Sequence, residues 1–291
     1  MCIAFFRLTT YKDAQGCIQV KLIVVDNRDE FYERATSRLR WWDEPFQDIL
    51  ARKLRVSIYT TKKPSVIVAQ DMQRGGTWLG VRRCKDHTRV AFLTNIRKAK
   101  LDLNKESRGN LITDFLQSDL DVAAYVAQLK PVGHKYGGLN LVFFDGESLG
   151  YYCNDPMTFS LLECDVLYGL SNSVLENPWI KVQRGKDAVA RVLASHDAGD
   201  DDDNSDLALC RKLLPVMADA TRVEKRELLP PTGCSEAFEY QVSSIFVEPL
   251  YNSMYGTRTT IAMVLDGAHG CVLERDLNAS TMEWVDNVIT F

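Results

Sequence analysis

The residues best suited by type and spacing to do chemistry stand at the start of the chain, Met1-Cys2-Ile3-Ala4-Phe5-Phe6. Removal of an initiator methionine ahead of a small side chain would leave Cys2 as the first residue. A terminal cysteine carries a nucleophile and a base on one residue. Its thiol titrates near ~8.5 and its α-amine at roughly 7.7–8.0, so near neutrality the amine is partly free to take the thiol's proton. Nucleophiles activated by their own amine are a recognised solution for acyl transfer. A second cluster, Asp26-Asn27-Arg28-Asp29-Glu30, follows the apolar run Leu22-Ile23-Val24-Val25. A carboxylate there could orient an amine or a nucleophile. On composition alone, Cys2 also reads as a small residue opening a buried strand, and the charged cluster as a solvated turn.

The elements that must position these residues come next. Unbroken apolar runs at Ile3 to Phe6 and Leu22 to Val25 read as strands buried on both faces. The polar stretch Tyr11 to Gly16 between them makes residues 2–8 and 18–25 a hairpin, with the charged cluster at a strand end. Leu111, Ile112, Phe115 and Leu116 recur at helical spacing. After Ser118-Asp119-Leu120-Asp121, an N-cap signal, Val122, Tyr125, Val126 and Leu129 mark a second helix that Pro131 stops. Gly138 to Phe144 and Leu149 to Cys153 form a second hairpin around Asp145-Gly146. Asn177-Pro178-Trp179 opens a helix with Trp179, Val182, Val189 and Val192 on one face. Ala208 to Met217 is helical, and Thr259 to Leu265 with Cys271 to Glu274 close the β set. Strands and helices grouped in blocks indicate an α+β fold of antiparallel sheets covered by helices.

Met-Cys-Ile before a strand, followed by Asn27-Arg28-Asp29-Glu30, resembles the signature of the NRDE, or transport and Golgi organisation, protein family. Four further stretches carry the likeness in the family's order across nearly the whole chain: Gly75-Gly76-Thr77-Trp78-Leu79-Gly80-Val81, Phe92-Leu93-Thr94-Asn95, Tyr168-Gly169-Leu170-Ser171-Asn172 and Tyr255-Gly256-Thr257-Arg258-Thr259. That family in turn resembles the N-terminal-nucleophile hydrolases, above all the cysteine group with bile-salt hydrolases and penicillin V acylases. The resemblance implies a four-layer αββα sandwich and one domain over residues 1–291. It also implies a site made of Cys2, Asp29, Asn172 and Arg258, with the backbone of Asn95 as a second oxyanion donor, and Asn27, Arg28 and His134 as further pocket residues. Those residues are expected to converge around Cys2. One departure stands out: the hydrolases place Arg just before the Asn of the turn, where this chain has Asp26, with Arg28 on the other side of Asn27. A second is the stretch 51–68, longer than the family's usual path and read as a surface hairpin of Val56 to Tyr59 and Val66 to Val68.

Composition narrows the classes. Of 291 residues 46% are apolar, enough for a sizeable core, and 25% are charged with a net charge of −4. With no basic block, nucleic acid and anionic membranes are poor partners. Eight cysteines show no C-x-x-C spacing and, with no signal-peptide pattern before Arg7, read as reduced thiols of a cytosolic-type compartment. No apolar run reaches the roughly 18 residues that span a bilayer. Four scattered histidines lack zinc-ligand spacing, so no metal site is expected. Gly75-Gly76 lacks the lysine of a phosphate-binding loop, and the Asp200 to Asn204 run lacks the alternation of a calcium loop.

Two functions follow from the resemblance. Animal members of the family are associated with intracellular haem trafficking, lipid homeostasis and secretory-pathway organisation, which implies a haem carrier on a hydrolase-like scaffold, cytoplasmic or associated with mitochondria or Golgi. The alternative is an enzyme in which Cys2 attacks the amide or thioester of an acyl group while Asn172 and Asn95 bind the oxyanion.

Overall fold

The computed structural model describes residues 2–42, 65–100, 102, 104–198, 203, 205–249 and 254–291. Thirteen strands among these residues form two antiparallel sheets. The first has six: β1 (Cys2–Lys12), β2 (Ile18–Phe31), β10 (Tyr168–Leu170), β11 (Tyr255–Asp266), β12 (His269–Asn278) and β13 (Glu283–Thr290), in the order β10-β1-β2-β11-β12-β13. The second runs in chain order: β3 (Arg40–Trp41), β4 (Val66–Gln70), β5 (Thr77–Arg83), β6 (Thr88–Asn95), β7 (Leu139–Phe144), β8 (Leu149–Asn154) and β9 (Met157–Leu161).

Strand alternation explains why both faces of the first sheet are apolar. Ala4, Phe6, Leu8, Leu22 and Val24 point at the second sheet, where Phe6 meets Phe92 edge-on with ring centroids 5.2 Å apart. Ile3, Phe5, Ile23 and Val25 point the other way, onto helices α3 (Ile180–Asp197) and α4 (Asp206–Met217) through Val182, Val189, Leu209 and Leu213. The outer face of the second sheet is covered by α1 (Gly109–Gln117) and α2 (Val122–Leu129), where Phe115 packs on Phe143 at 4.8 Å and on Tyr125 at 5.2 Å. A short helix α5 (Glu236–Gln241) lies beyond. This is a mixed α+β arrangement, two antiparallel sheets and five helices, compatible with the expected sandwich. No helix among the described residues is long and apolar enough to cross a membrane.

Several local expectations needed revision. The Asp26 to Glu30 cluster is not a turn: β2 continues through it to Phe31, because pairing with β1 on one side and β11 on the other satisfies its backbone. Two edge strands, β9 and β13, went unanticipated, since a one-sided edge carries mixed polar and apolar residues. Of the stretch 51–68, residues 51–64 lie outside the described residues. Val66, Ile67 and Val68 are buried in β4, between β3 and β5, and not on a surface hairpin. Pro131 ends α2 at Leu129, as its missing N–H requires, and the chain continues as a 3₁₀ turn, Lys130–Lys135, that carries His134.

Glu274, on β12, fixes the segment leading out of β2. Its carboxylate accepts the Leu39 N–H at 2.9 and 3.0 Å, and Asn287 clasps both partners from β13. Burial pushes the Glu274 carboxyl up from 4.5 to about 7. The folded state therefore binds the proton more tightly than the unfolded chain, so stability should fall as pH rises from about 4.5 to about 7. Denaturant midpoints at pH 5 and pH 8 check this. Glu274→Gln should remove a loss on the order of 1–3 kcal/mol from the wild-type difference, and an identical pH dependence in both proteins would contradict it.

Candidate functional site

A cleft of about 520 Å³ opens where β1 begins, β6 ends and α1 starts. Cys2 lines it at 8% exposure, directly opposite Arg28 in the β1–β2 pairing. The side-chain period of two then sorts the acidic cluster. Asp26 and Arg28 share the inter-sheet face of β2 with Leu22 and Val24, while Asn27 and Asp29 take the helix-facing side.

Each expected residue can now be placed. Arg28, 5% exposed, stacks over Trp78 at 4.3 Å, donates to Thr36 Oγ1 at 3.1 Å and lies 3.6 Å from Glu30. The shifted arginine thus lines the same cleft as Cys2. Asp29, fully buried at the strand end, also borders the cleft and accepts the Thr257 hydroxyl at 2.6 Å. Burial raises its carboxyl, and the charge of Lys181 pulls the other way. Asn95 lines the cleft, and its carbonyl accepts Asn172 Nδ2 at 2.8 Å. His134 sits at the rim, exposed.

The rest do not line the cleft. Asn172 lies behind Asn95, its amide oxygen accepting Arg97 at 3.2 Å, while its neighbour Ser171 donates to the Cys2 carbonyl at 3.0 Å. Arg258 sits where the β2–β11 register shifts, between Thr257 and Thr259, and donates to the carbonyl of Arg34 at 2.6 Å and of Phe31 and Tyr32 at 3.4 Å. Its Nη1, bound to three carbonyls, braces the 31–34 segment. Asn27 is likewise structural: it donates to the carbonyls of Met217 and Ile245 and accepts Thr260, tying β2 to the end of α4. Arg28, Asp29 and Asn95 thus line the same cleft as Cys2, whereas Asn172, Asn27 and Arg258 do not.

The electrostatics are those of a dry floor. Burial pushes the Cys2 thiol up to about 12, with Asp26 and Asp29 adding to the rise and Arg28 opposing it. Asp26, raised to about 8 by the same desolvation, is a neighbour that sequence reasoning registered only as a departure from a motif. Trp78 stood inside a quoted motif without a role. Arg108 and Lys181 gave no sequence signal, since neither lies near the others in the chain. Lys181, buried under α3, is lowered to about 8 by desolvation and donates to the Val242 carbonyl at 3.0 Å. Beside it Arg97 forms a fully buried ion pair with Glu239.

Fold and site together define an α+β protein with two antiparallel sheets and a cleft, rich in charged side chains, that has Cys2 in its wall. The model of the Transport and Golgi organisation 2 family matches residues 1–279, and the chain belongs to that family. The Transport and Golgi organization 2 homolog of Mus musculus is 29% identical over 307 aligned residues, covering 100% of this chain and 99% of that protein. The Homo sapiens homolog is 28% identical over 95% of this chain and 93% of its own length, and the Drosophila melanogaster protein 24% over 67% and 66%.

Proposed function

We propose that the protein acts in the transport and Golgi organisation for which its relatives are named, as a carrier that binds a small amphipathic ligand in this cleft, with haem the first candidate. The single observation behind a carrier is the lining of the cleft, where the cations Arg28, Arg74 and Arg108 stand beside the apolar Trp78, Leu93 and Ile96. Burial, which pushes the Cys2 thiol up to about 12, favours its protonated form, the weaker nucleophile, and so supports binding over attack.

The cleft residues fit haem at its edges. Trp78, Leu93 and Ile96 supply apolar wall, Arg28 and Arg108 supply cations for the propionates, and His134 at the rim supplies an imidazole. If haem is the ligand, His134 would be the residue to hold its iron. Of the chain's own groups, Arg28 is held by Thr36 and Trp78, so its guanidinium is positioned before a ligand arrives, which lowers the entropy lost on binding. The buried Cys2 keeps its proton and contributes volume and dryness.

An acyl hydrolase on an N-terminal-nucleophile scaffold is the second reading. It is favoured by the pairing of Cys2 with Arg28 across β1 and β2 and by the presence of Asp29 in the same cleft, which place a cation and a carboxylate on the cleft wall that holds the thiol.

Titration of the purified protein with haem tests the first reading: a saturable Soret shift is expected, unchanged in Asp29→Asn and weakened in His134→Ala. A panel of N-acyl amides and acyl thioesters tests the second. Turnover that Asp29→Asn reduces by a factor on the order of 10²–10⁴, with no saturable Soret shift, would replace the carrier by the enzyme.

A further inference from the structure

Resting on the reading that the cleft binds a small molecule, we infer that its Arg108 side is an oxyanion subsite, formed by Arg108 at the start of α1 together with Arg74, for a phosphate or carboxylate group of the ligand. Most cleft acids already have partners. Arg34 pairs with Glu30 at 3.2 Å and Asp71 at 2.5 Å, Lys98 pairs with Asp155, and Lys105 lies 4.0 Å from Asp102. Among the described residues Arg108 and Arg74 have no ion pair, and Arg108 makes a single hydrogen bond, to the Gly138 carbonyl at 3.2 Å.

The arginines are also crowded. Desolvation lowers Arg108, and the charges of Arg74 and Arg34 lower it further. Like charges gathered in a half-dry cleft repel unless a negative group joins them. A bound oxyanion would relieve that repulsion and accept bidentate hydrogen bonds from guanidinium forks.

Two features of the backbone and wall point the same way. Arg108 is the N-cap of α1, its side chain makes no capping bond, and the first turn holds no acid. The positive end of the helix is therefore left uncompensated. Gly76 and Gly109 let that end press into the cleft wall, since a Cβ on Gly76 would come within 2.7 Å of the Gly109 backbone. Independently, Trp78 lines the same cleft at 6% exposure, and its indole N–H has no acceptor. A buried donor without an acceptor is destabilising, and a ligand oxygen reaching the indole edge would relieve it.

Pyrophosphate and succinate serve as probes, read by calorimetry and by the indole N–H resonances of the five tryptophans, with Trp78→Phe assigning one of them. Saturable binding that moves the Trp78 resonance is expected, about tenfold weaker in Arg108→Gln and about threefold weaker in Arg74→Gln, a tenfold loss being about 1.4 kcal/mol. The exposed control Arg226→Gln should match wild type, and Arg74→Gln, a surface change, keeps the test valid if Arg108→Gln folds poorly. Preference for pyrophosphate assigns the phosphate and preference for succinate the carboxylate. Equal affinity in wild type and both cleft variants, or equal movement of all five indoles, overturns the subsite. Probe binding without haem binding keeps the subsite and removes haem, whereas haem binding indifferent to Arg108→Gln keeps the carrier and removes the subsite.

Discussion

Glu239→Ala will cost about 3–5 kcal/mol of stability, the range for stranding one member of a buried ion pair. The side chains of Arg97 and Glu239 are 5% and 2% exposed, and Glu239 also accepts the Thr232 hydroxyl. Arg97 stacks over Trp179 at 4.5 Å and holds the Asn172 amide at 3.2 Å. Without Glu239, two buried cations, Arg97 and Lys181, would face each other with less negative charge between them. Unfolding midpoints in urea measure the loss. The double variant Arg97→Met/Glu239→Leu should be less destabilised than Glu239→Ala, because it buries no lone charge. If the double variant loses at least as much as the sum of its singles, the pair is only packing. The loss should also reach the cleft, since Asn172 buttresses the Asn95 backbone.

Phe5→Ala will cost about 3–5 kcal/mol, as expected for emptying a fully buried aromatic site. The Phe5 ring lies against the backbone of α3 at Gly185, where a Cβ would occupy the space of the ring. Gly185→Ala should therefore destabilise by about 1–3 kcal/mol through overpacking, despite the better helix propensity of alanine. The two changes occupy one space, so Phe5→Leu/Gly185→Ala should be more stable than the sum of its singles predicts. Strict additivity would show that ring and helix do not share that volume. Because α3 also carries Lys181 above Asp29, the pair sets the depth at which that cation sits behind the site.

Where side-chain order decided an element, the sequence was legible. The 3.6-residue spacing of Leu111 to Leu116 gave α1, Asp121 capped α2 by accepting the Ala124 N–H at 2.7 Å, and Asp145-Gly146 joined β7 to β8. The Asp26 to Glu30 cluster misled because charge normally marks solvent. Here its hairpin partner β1 covers one side and the distant β11 the other, and Asn27 finds its partners on α4 and the segment after α5.

By itself the sequence determined the family and the antiparallel sheets with their helices, and it singled out Cys2, Asp29 and Asn95, which line one cleft. All of these rest on local order: apolar runs, caps, turns and motifs whose residues are neighbours in the chain. Only the tertiary structure decided the direction of each side chain. It turned Arg28 towards Cys2 and Asn27 away from it, used up Arg258 on the carbonyls of residues 31–34, and gathered Arg74, Trp78 and Arg108 into one cleft from separate segments. The alternation of a strand sends neighbours to opposite faces, and burial then sets their charge. Neither can be read until it is known which faces of which strands the rest of the chain covers.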